Sequence, residues 1–336
     1  MLAILFGCAT FPRFPDPSEE ADVKFGAWMY QRAGTMDVVE FARVAEQCGF
    51  DSVWQGEHSH RPVTQAERQQ AVPDGLHDHA MMLDQFVVLS AWAAVTSEVR
   101  LGTAITLLME RDPIWLAKEL ASLDQISGGR AMLGIGGGHM YEPYLKEMKN
   151  HGTDPNIRWD VLRERALAVR EILAKQEPEF HGKYVDFDPI WAFPKPVQQP
   201  HPPILLGSSG YSREFNARRR DGGSDPDAEA RSRRVWGQTL DRLLEYCDGW
   251  MPVAGEPDLG EKVAELQRMA KERGRAAYDV TVFGAGMARD RQLDDALVER
   301  LQAAGVNRII FTPPPAAAET VIPELQRVGE LAKRHA

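Results

Sequence analysis

Short apolar runs alternate with longer segments of helical period along most of the chain. A run of about four to eight apolar residues bounded by Gly, Asp or Pro is typical of a buried strand, whereas apolar residues three and four positions apart predict a helix. The pattern predicts eight strands, each followed by a helix. These strands are Leu2–Phe6, Ser52–Trp54, Val99–Ile105, Ala131–Ile135, Ile204–Leu206, Trp250–Val253, Val280–Gly284 and Arg308–Phe311.

Three helices can be placed from their ends as well as from their period. Val38–Cys48 carries an apolar stripe, and Gly49 follows at a position where helices commonly end. Asp112-Pro113 supplies the N-cap and the first residue of a helix that stops at Gly128-Gly129. The last predicted helix covers Ala318–Lys333.

Eight strand and helix units predict an α/β fold, a (β/α)8 TIM barrel with insertions in the loops after strands. Residues 1–336 then form a single domain, because such barrels exceed the usual domain length. Three loops are long: Asp16 to Gly34, Gly56 to Leu83, and Gly207 to Tyr246. Within the last of them we expect residues 211–240 to be a charged, mobile insertion, since Asp221–Ala230 is too polar for a core.

The charge of the chain limits its partners. A net charge of −10 and a pI of about 5.5 disfavour nucleic acid, because phosphate binding needs clustered Lys and Arg. Two basic clusters, Arg218–Arg220 and Arg231–Arg234, have acidic residues between them, which predicts a solvated loop.

Cysteine use and hydropathy indicate a cytoplasmic protein. Cys8, Cys48 and Cys247 are scattered and odd in number, so they predict neither a disulfide framework nor a zinc site. No apolar stretch approaches the roughly 20 residues that cross a bilayer, and we interpret the apolar start of the chain as a strand.

An ionisable pair, Glu57-His58, follows the second predicted strand. Both side chains should therefore emerge near the mouth of the barrel, where the active site is expected. A histidine side chain suits proton transfer because imidazole changes its charge near neutral pH. A structural histidine that ties the loop to the barrel is the alternative.

Two glycine-rich segments follow later strands. Gly134–Gly138 lacks the spacing of a dinucleotide-binding fingerprint, but consecutive glycines allow a ligand to approach backbone N–H groups. Gly207–Gly210 offers backbone amides and two serine hydroxyls, a combination that can cradle a phosphate. An ordinary tight turn is the alternative in each case.

A second candidate site consists of His58, His60, His77, Asp78 and His79. His-x-His after a barrel strand is a common metal site of hydrolases. Such sites need further His and Asp ligands after later strands, whereas the eighth strand here ends in Phe311-Thr312-Pro313. A solvated lid is the better interpretation of residues 77–79.

The order of these motifs resembles the luciferase-like flavin and deazaflavin oxidoreductases. The segments that carry the resemblance are Val99–Thr106, Arg111–Pro113, Leu116–Arg130, Leu133–Gly138, Asn150–Pro155, Phe180–Phe187 and Pro194–Gly207. Within that family, Asn150–Pro155, Phe180–Gly182 and Phe187–Trp191 resemble the branch that uses the deazaflavin coenzyme F420. The resemblance therefore implies an oxidoreductase that transfers a hydride between the C5 atom of F420 and a small organic substrate.

The resemblance also implies roles for individual residues. His58 would transfer a proton, with Glu57 orienting it or charging the site. Ala104 and Ile105 would form a bulge with a non-prolyl cis peptide against the coenzyme ring. The coenzyme-binding residues so implied are Ala104, Ile105, Thr106, Gly136, Gly137, Gly138, His139, Gly207, Ser208 and Ser209. At the position of His139 the family often has a tryptophan.

Other functions remain open at the level of sequence. A monooxygenase that uses flavin mononucleotide (FMN) on the same scaffold is the nearest alternative, and a non-catalytic coenzyme-binding barrel or a metal-dependent hydrolase is more remote. The resemblance further implies a homodimer that pairs through helices flanking the early strands. Trp92, Trp115 and Leu116 are the predicted apolar contacts.

Overall fold

Eight parallel strands close a barrel in the computed structural model, which describes residues 22–32, 34–63, 79–139, 142–211, 226–285 and 293–335. Ten strands are described in all, eight of them in the barrel: β1 (Lys24–Trp28), β2 (Ser52–Gln55), β3 (Arg100–Thr103), β4 (Ala131–Gly136), β5 (Phe180–His181), β6 (Asp186–Phe187), β7 (Ile204–Gly207), β8 (Gly249–Met251), β9 (Asp279–Ala285) and β10 (Arg308–Phe311). Around the barrel they follow the order β1-β10-β9-β8-β7-β4-β3-β2, and β5 and β6 form a separate antiparallel hairpin. The chain thus has the predicted (β/α)8 architecture.

Helices connect the strands on the outside of the barrel. They are α1 (Val38–Gln47), α2 (Gln85–Val95), α3 (Pro113–Ser127), α4 (Tyr144–Asn150), α5 (Arg158–Ala174), α6 (Pro226–Tyr246), α7 (Leu259–Glu272), α8 (Asp295–Ala303) and α9 (Ala318–Arg334). Short 3-10 helices lie at His79–Met81, Leu108–Glu110 and Pro155–Ile157. Among the described residues, none of the helices combines the length and the hydropathy that a bilayer crossing needs.

The predicted helix ends are confirmed. The Asp112 side chain caps α3 by accepting hydrogen bonds from the backbone N–H groups of Ile114 and Trp115. Gly128 ends the same helix in the left-handed conformation, with φ of 69°. Gly49 follows α1 with φ of 85°, after the cap residue Cys48.

The first barrel strand was predicted wrongly. Leu2–Phe6 lies outside the described residues, and the barrel is closed by Lys24–Trp28, inside the segment Asp16 to Gly34 that the sequence predicted to be a loop. Gly26 makes this strand look like a turn in the sequence. The tertiary structure requires it, because a Cβ there would lie 2.6 Å from Nε1 of Trp54 inside the barrel.

The prediction for residues 211–240 was also wrong in part. Residues 212–225 lie outside the described residues, but Pro226–Tyr246 is one helix of 21 residues rather than a loop. Its buried residues recur at helical spacing: Ala228, Ser232, Trp236, Thr239, Leu240, Leu243 and Leu244. Arg231–Arg234 therefore belongs to a helix whose many charged residues conceal its apolar stripe.

A buried arginine closes the end of the barrel opposite the mouth. Arg308, at the start of β10, is 2% exposed and donates hydrogen bonds to the carboxylates of Asp51 and Asp279. A further hydrogen bond, of 3.1 Å, goes to the hydroxyl of Thr281. Burial lowers the pKa of Arg308, but the two carboxylates more than offset it and hold the pKa above its ordinary value. The side chain thus links the amino-terminal ends of neighbouring strands by charge.

Candidate active site at the mouth of the barrel

The predicted site residues converge at the carboxyl ends of four neighbouring strands. His58 follows β2, Ala104 and Ile105 follow β3, and the two glycine loops follow β4 and β7, which are paired with Gly136 opposite Gly207. The peptide bond between Ala104 and Ile105 is cis, as the resemblance implies. The positive φ of Gly138, 65°, turns the chain from β4 toward α4.

His58 has a carboxylate partner that was not predicted. Its Nδ1 lies 2.8 Å from Oε2 of Glu147, a residue of α4. The imidazole is 11% exposed and the carboxylate 1%. The other oxygen of Glu147 accepts a hydrogen bond of 2.9 Å from the backbone N–H of Ser59. One carboxylate therefore binds both the His58 side chain and the loop that carries it.

Glu57 does not orient His58, because its carboxylate is bound to other groups; the other role implied for it, that it charges the site, stays a prediction. Its carboxylate accepts hydrogen bonds from Nε of Arg111 at 2.5 Å and from the backbone N–H of Leu107 at 2.6 Å. Through these two hydrogen bonds, Glu57 holds the segment that follows the cis peptide. Burial raises its pKa, and the charge of Arg111 opposes that rise.

Three carboxyl groups lie close together behind His58. Burial, together with the charges of Glu147 and Glu57, raises the pKa of Glu110 to about 8. Burial also acts to raise the pKa of Glu147, but the hydrogen bond from His58 and the N–H groups of Ser59 and His60 leave it below the ordinary value. Glu147 is therefore ionised at neutral pH, whereas Glu110 holds its proton.

A second histidine packs on the face of His58. The rings of His58 and His79 are stacked, with centroids 4.5 Å apart and an interplanar angle of 22°. Nε2 of His79 lies 3.0 Å from the hydroxyl of Tyr30, and its Nδ1 is hydrogen-bonded to the hydroxyl of Tyr144. Interpreting residue 79 as part of a solvated lid was wrong, because the residue is half-buried within the site.

The glycines after β4 and β7 make room for side chains of the protein itself. A Cβ at Gly207 would lie 2.6 Å from Cγ2 of Ile105, and one at Gly136 would clash with Cδ1 of the same residue. Thr106 is fully buried, and its hydroxyl is committed to Gln85 at 2.7 Å. Ile105 thus lies between the two loops, while the side chain of Thr106 is not available to a ligand.

Two arginines that were not predicted flank a tryptophan beside the glycine loop. A Cβ at Gly137 would lie 2.6 Å from the ring of Trp159, at the start of α5. The guanidinium of Arg242 stacks on this ring at 4.0 Å from its centroid, and that of Arg158 lies 5.6 Å away. Burial lowers the pKa of Arg158 and the charge of Arg242 lowers it further, so two cations lie close together.

Several polar groups around the mouth lack a protein partner among the described residues. The hydroxyl of Ser208 and Nε of Arg158 are buried without a hydrogen bond, and so is the indole N–H of Trp28, a residue that is 2% exposed. The guanidinium of Arg242 lies in the same region, against the ring of Trp159. A buried donor without an acceptor costs about 1–3 kcal/mol, so such a cluster is typical of a ligand site.

The metal site considered from sequence has no counterpart in the described part of the chain. There, His, Cys, Asp and Glu side chains form no group of three or more that could hold a metal ion. His77 and Asp78 lie outside the described residues, and His60 is instead hydrogen-bonded to Ser59 and Asn150.

The residues missed from sequence share a common feature. Glu147, Tyr30 and Arg242 carry no motif of their own, and each meets the site only through the closure of the barrel; His79 was named from sequence, but as a metal ligand or a lid residue rather than as a partner of His58. Arg158 alone had a signal, because it follows Asn150–Pro155 almost directly in the sequence.

Comparison with known proteins places the chain among oxidoreductases. The family model described as luciferase-like monooxygenase matches residues 21–223. An uncharacterized protein of Mycobacterium tuberculosis is 33% identical over 300 residues, which cover 86% of this chain and 91% of the relative.

More distant relatives differ in the cofactor that their names give. The oxygenase component of the flavin-dependent trigonelline monooxygenase of Acinetobacter baylyi is 23% identical, over 89% of this chain and 79% of the relative. The F420-dependent glucose-6-phosphate dehydrogenase of Amycolatopsis mediterranei is 22% identical, over 89% and 97%. Among solved structures, an F420-dependent secondary alcohol dehydrogenase superposes with a TM-score of 0.66 at 19% identity, over 92% of this chain and 98% of that one.

Proposed function

The chain belongs to the luciferase-like monooxygenase family, and from this premise we propose that it is an F420-dependent oxidoreductase that transfers a hydride between the deazaflavin and a small organic substrate. The observation that carries the proposal is the convergence, at one barrel mouth, of His58 with donors that have no acceptor among the described residues. Among the relatives, one is named as flavin-dependent and another as F420-dependent. The preference for the deazaflavin rests on the segments Asn150–Pro155, Phe180–Gly182 and Phe187–Trp191.

The residues at the mouth fit a coenzyme with a ring and an anionic tail. We assign the ring to the side of Ala104 and Ile105, where the indole N–H of Trp28 has no acceptor within the described part of the chain. The anionic tail would lie along Ser208 toward Arg158 and Arg242, because a guanidinium binds phosphate and carboxylate groups through several N–H donors. A bound deazaflavin supplies two-electron hydride chemistry with little reactivity toward oxygen.

The protein contributes orientation, exclusion of water and movement of a proton. An alcohol substrate would be oxidised to a carbonyl compound by the hydride chemistry that the deazaflavin would supply, and its hydroxyl oxygen would lose a proton. His58 takes that proton, or returns it in the opposite direction. The aromatic rings of Trp28, Tyr30 and Tyr144 around this point keep water away from the reacting atoms.

We expect the purified protein to bind F420 more tightly than FMN. Trp159 and Trp28 lie at the mouth, so quenching of tryptophan fluorescence during titration with each coenzyme measures the two affinities. Arg242→Met should weaken F420 binding by about tenfold or more, because it removes a charge-assisted bond worth roughly 1.5–3 kcal/mol. Arg268→Met, on the exposed face of α7, is the control.

Tight binding of FMN without a response to F420 would overturn this assignment. The protein would then be a flavin monooxygenase of the same family, and consumption of oxygen in the presence of reduced FMN would follow. Binding of neither coenzyme would exclude both functions.

We also propose a homodimer that forms through α2 and α3. Trp92 and Leu116 were wrongly predicted as contacts, since both are fully buried in the core. Trp115, at 69% exposed, and Val87, at 68%, lie on the outer surface of these helices. Exposed apolar side chains of this size are candidates for an interface.

Sedimentation at micromolar concentration should give the mass of a dimer for the wild type and of a monomer for Trp115→Glu, because a charge at the centre of an apolar contact is poorly solvated. Gln302→Glu on α8, between β9 and β10, should remain dimeric. A monomeric wild type, or a dimeric Trp115→Glu variant, would contradict the proposal.

A further inference from the structure

We propose that Glu147 is the positioning residue of His58, and that it fixes the imidazole as the tautomer with the proton on Nδ1, so that Nε2 is the nitrogen that exchanges a proton with the substrate. The inference rests on the proposed function of His58 as the proton-transfer group. It goes beyond that function because it assigns the orienting role to a residue of α4, which is 89 positions from His58 in the sequence.

The direction of the hydrogen bond follows from the charge of Glu147. An ionised carboxylate can only accept, so the contact of 2.8 Å requires a proton on Nδ1 of His58. Burial beside two other carboxyl groups does not protonate Glu147, because the backbone N–H groups of Ser59 and His60 donate to its Oε1 and its pKa remains below the ordinary value. The nearby Glu110 holds its own proton and adds no charge at neutral pH.

The same carboxylate also stabilises the product of proton uptake. When Nε2 takes a proton from the substrate, the imidazole becomes an imidazolium with both nitrogens protonated. Its charge then lies 2.8 Å from a carboxylate that is 1% exposed, where electrostatic attraction is weakly screened. A carboxylate bound to the far nitrogen of a catalytic histidine has this double effect in hydrolase triads, where loss of its charge costs about 10⁴-fold in turnover.

His58 is held on two sides by separate elements. Glu147 fixes its edge, and His79 covers its ring face at 4.5 Å. His79 is fixed in turn by the hydroxyls of Tyr30, after β1, and Tyr144, on α4. The ring of His58 can therefore neither turn about its side-chain bonds nor tilt without breaking one of these contacts. In this assignment His79 acts by packing, and Glu147 by charge.

The first test needs no coenzyme. Spectra of ¹⁵N-labelled histidine in the apo-protein at neutral pH should show His58 protonated on Nδ1 and unprotonated on Nε2. In Glu147→Gln the two tautomers should be mixed or reversed, because an amide both donates and accepts. The amide oxygen can still accept from the N–H of Ser59, so the loop keeps its bond. Glu324→Gln, on the surface of α9, is the control and should leave the tautomer unchanged. An unchanged tautomer in Glu147→Gln would overturn the proposal.

The second test separates charge from packing once a substrate is known. Glu147→Gln should lower kcat by about 10²–10⁴-fold, with an F420 dissociation constant within about twofold of the wild type. His79→Phe keeps a ring on His58 and should lower kcat by less than about tenfold, whereas His79→Ala removes that ring and should lower it further. An equal loss in Glu147→Gln and His79→Phe would overturn the division of roles. A changed tautomer in a protein that binds neither coenzyme would refute the proposed function and leave the role of Glu147 in place.

Discussion

Replacing His58 by alanine should lower turnover by about 10²–10⁴-fold, the usual cost of losing a general acid or base. The affinity for F420 should change by no more than about twofold, because the side chains assigned to its anionic tail, Ser208, Arg158 and Arg242, lie after β7 and on α5 and α6, whereas His58 follows β2. Steady-state kinetics over a panel of alcohols, aldehydes and conjugated carbonyl compounds, combined with fluorescence titration, measures both quantities.

Arg242→Met is the matched variant with the opposite pattern. It should weaken binding of the coenzyme while kcat at saturating coenzyme stays close to that of the wild type, because Arg242 contacts Trp159 rather than His58. A His58→Ala variant with full turnover and weakened F420 binding would make His58 a binding residue and refute its role in proton transfer.

Replacing Arg308 by methionine should lower the free energy of unfolding by about 3–5 kcal/mol, because it leaves two carboxylates near the closed end of the barrel without their cation. Asp51 and Asp279 are 22% and 12% exposed, so solvent can replace only part of the lost interaction. Urea denaturation followed by circular dichroism gives the value.

Arg268→Met provides the comparison for this variant as well. Arg268 forms an exposed pair with Glu272 on α7, and exposed pairs contribute little because water screens both charges. A loss in Arg308→Met no larger than in Arg268→Met would show that the buried cluster does not hold the barrel closed. Since Arg308 lies at the end opposite the mouth, coenzyme affinity of the folded variant should be unchanged.

The fold was largely predictable because its signals are local. An apolar run and the glycine or aspartate that ends it lie within a few residues of one another, and seven predicted strands were found with small differences at their ends. The predicted strand ends also placed His58, Ala104 and Ile105, and the glycine loops at one mouth of the barrel. In a parallel barrel every residue that directly follows a strand emerges on the same side.

Two elements, β1 and α6, were not predicted because their local composition does not indicate how they pack. Lys24–Trp28 contains a glycine that is typical of a turn, yet Gly26 and Gly102 both leave space for the indole of Trp54. Helix α6 was taken for a charged insertion, since the exposed residues Asp227, Arg231, Arg233, Arg234 and Asp241 interrupt its buried stripe. In both cases the decisive contact is with another element of the fold.

The barrel, the face on which its active site is expected and the strand ends that line that face can be predicted from sequence, since they follow from short-range periodicity and from the connection of each strand to the next loop. The pairing of side chains at that face depends on the folded barrel. The fold assigned Glu57 to Arg111, gave His58 the carboxylate of Glu147 and the ring of His79, and brought Arg158 and Arg242 together at Trp159. Hydrogen bonds and charge interactions depend on distances of a few ångströms, and closure of the barrel sets those distances between residues that are far apart in the chain.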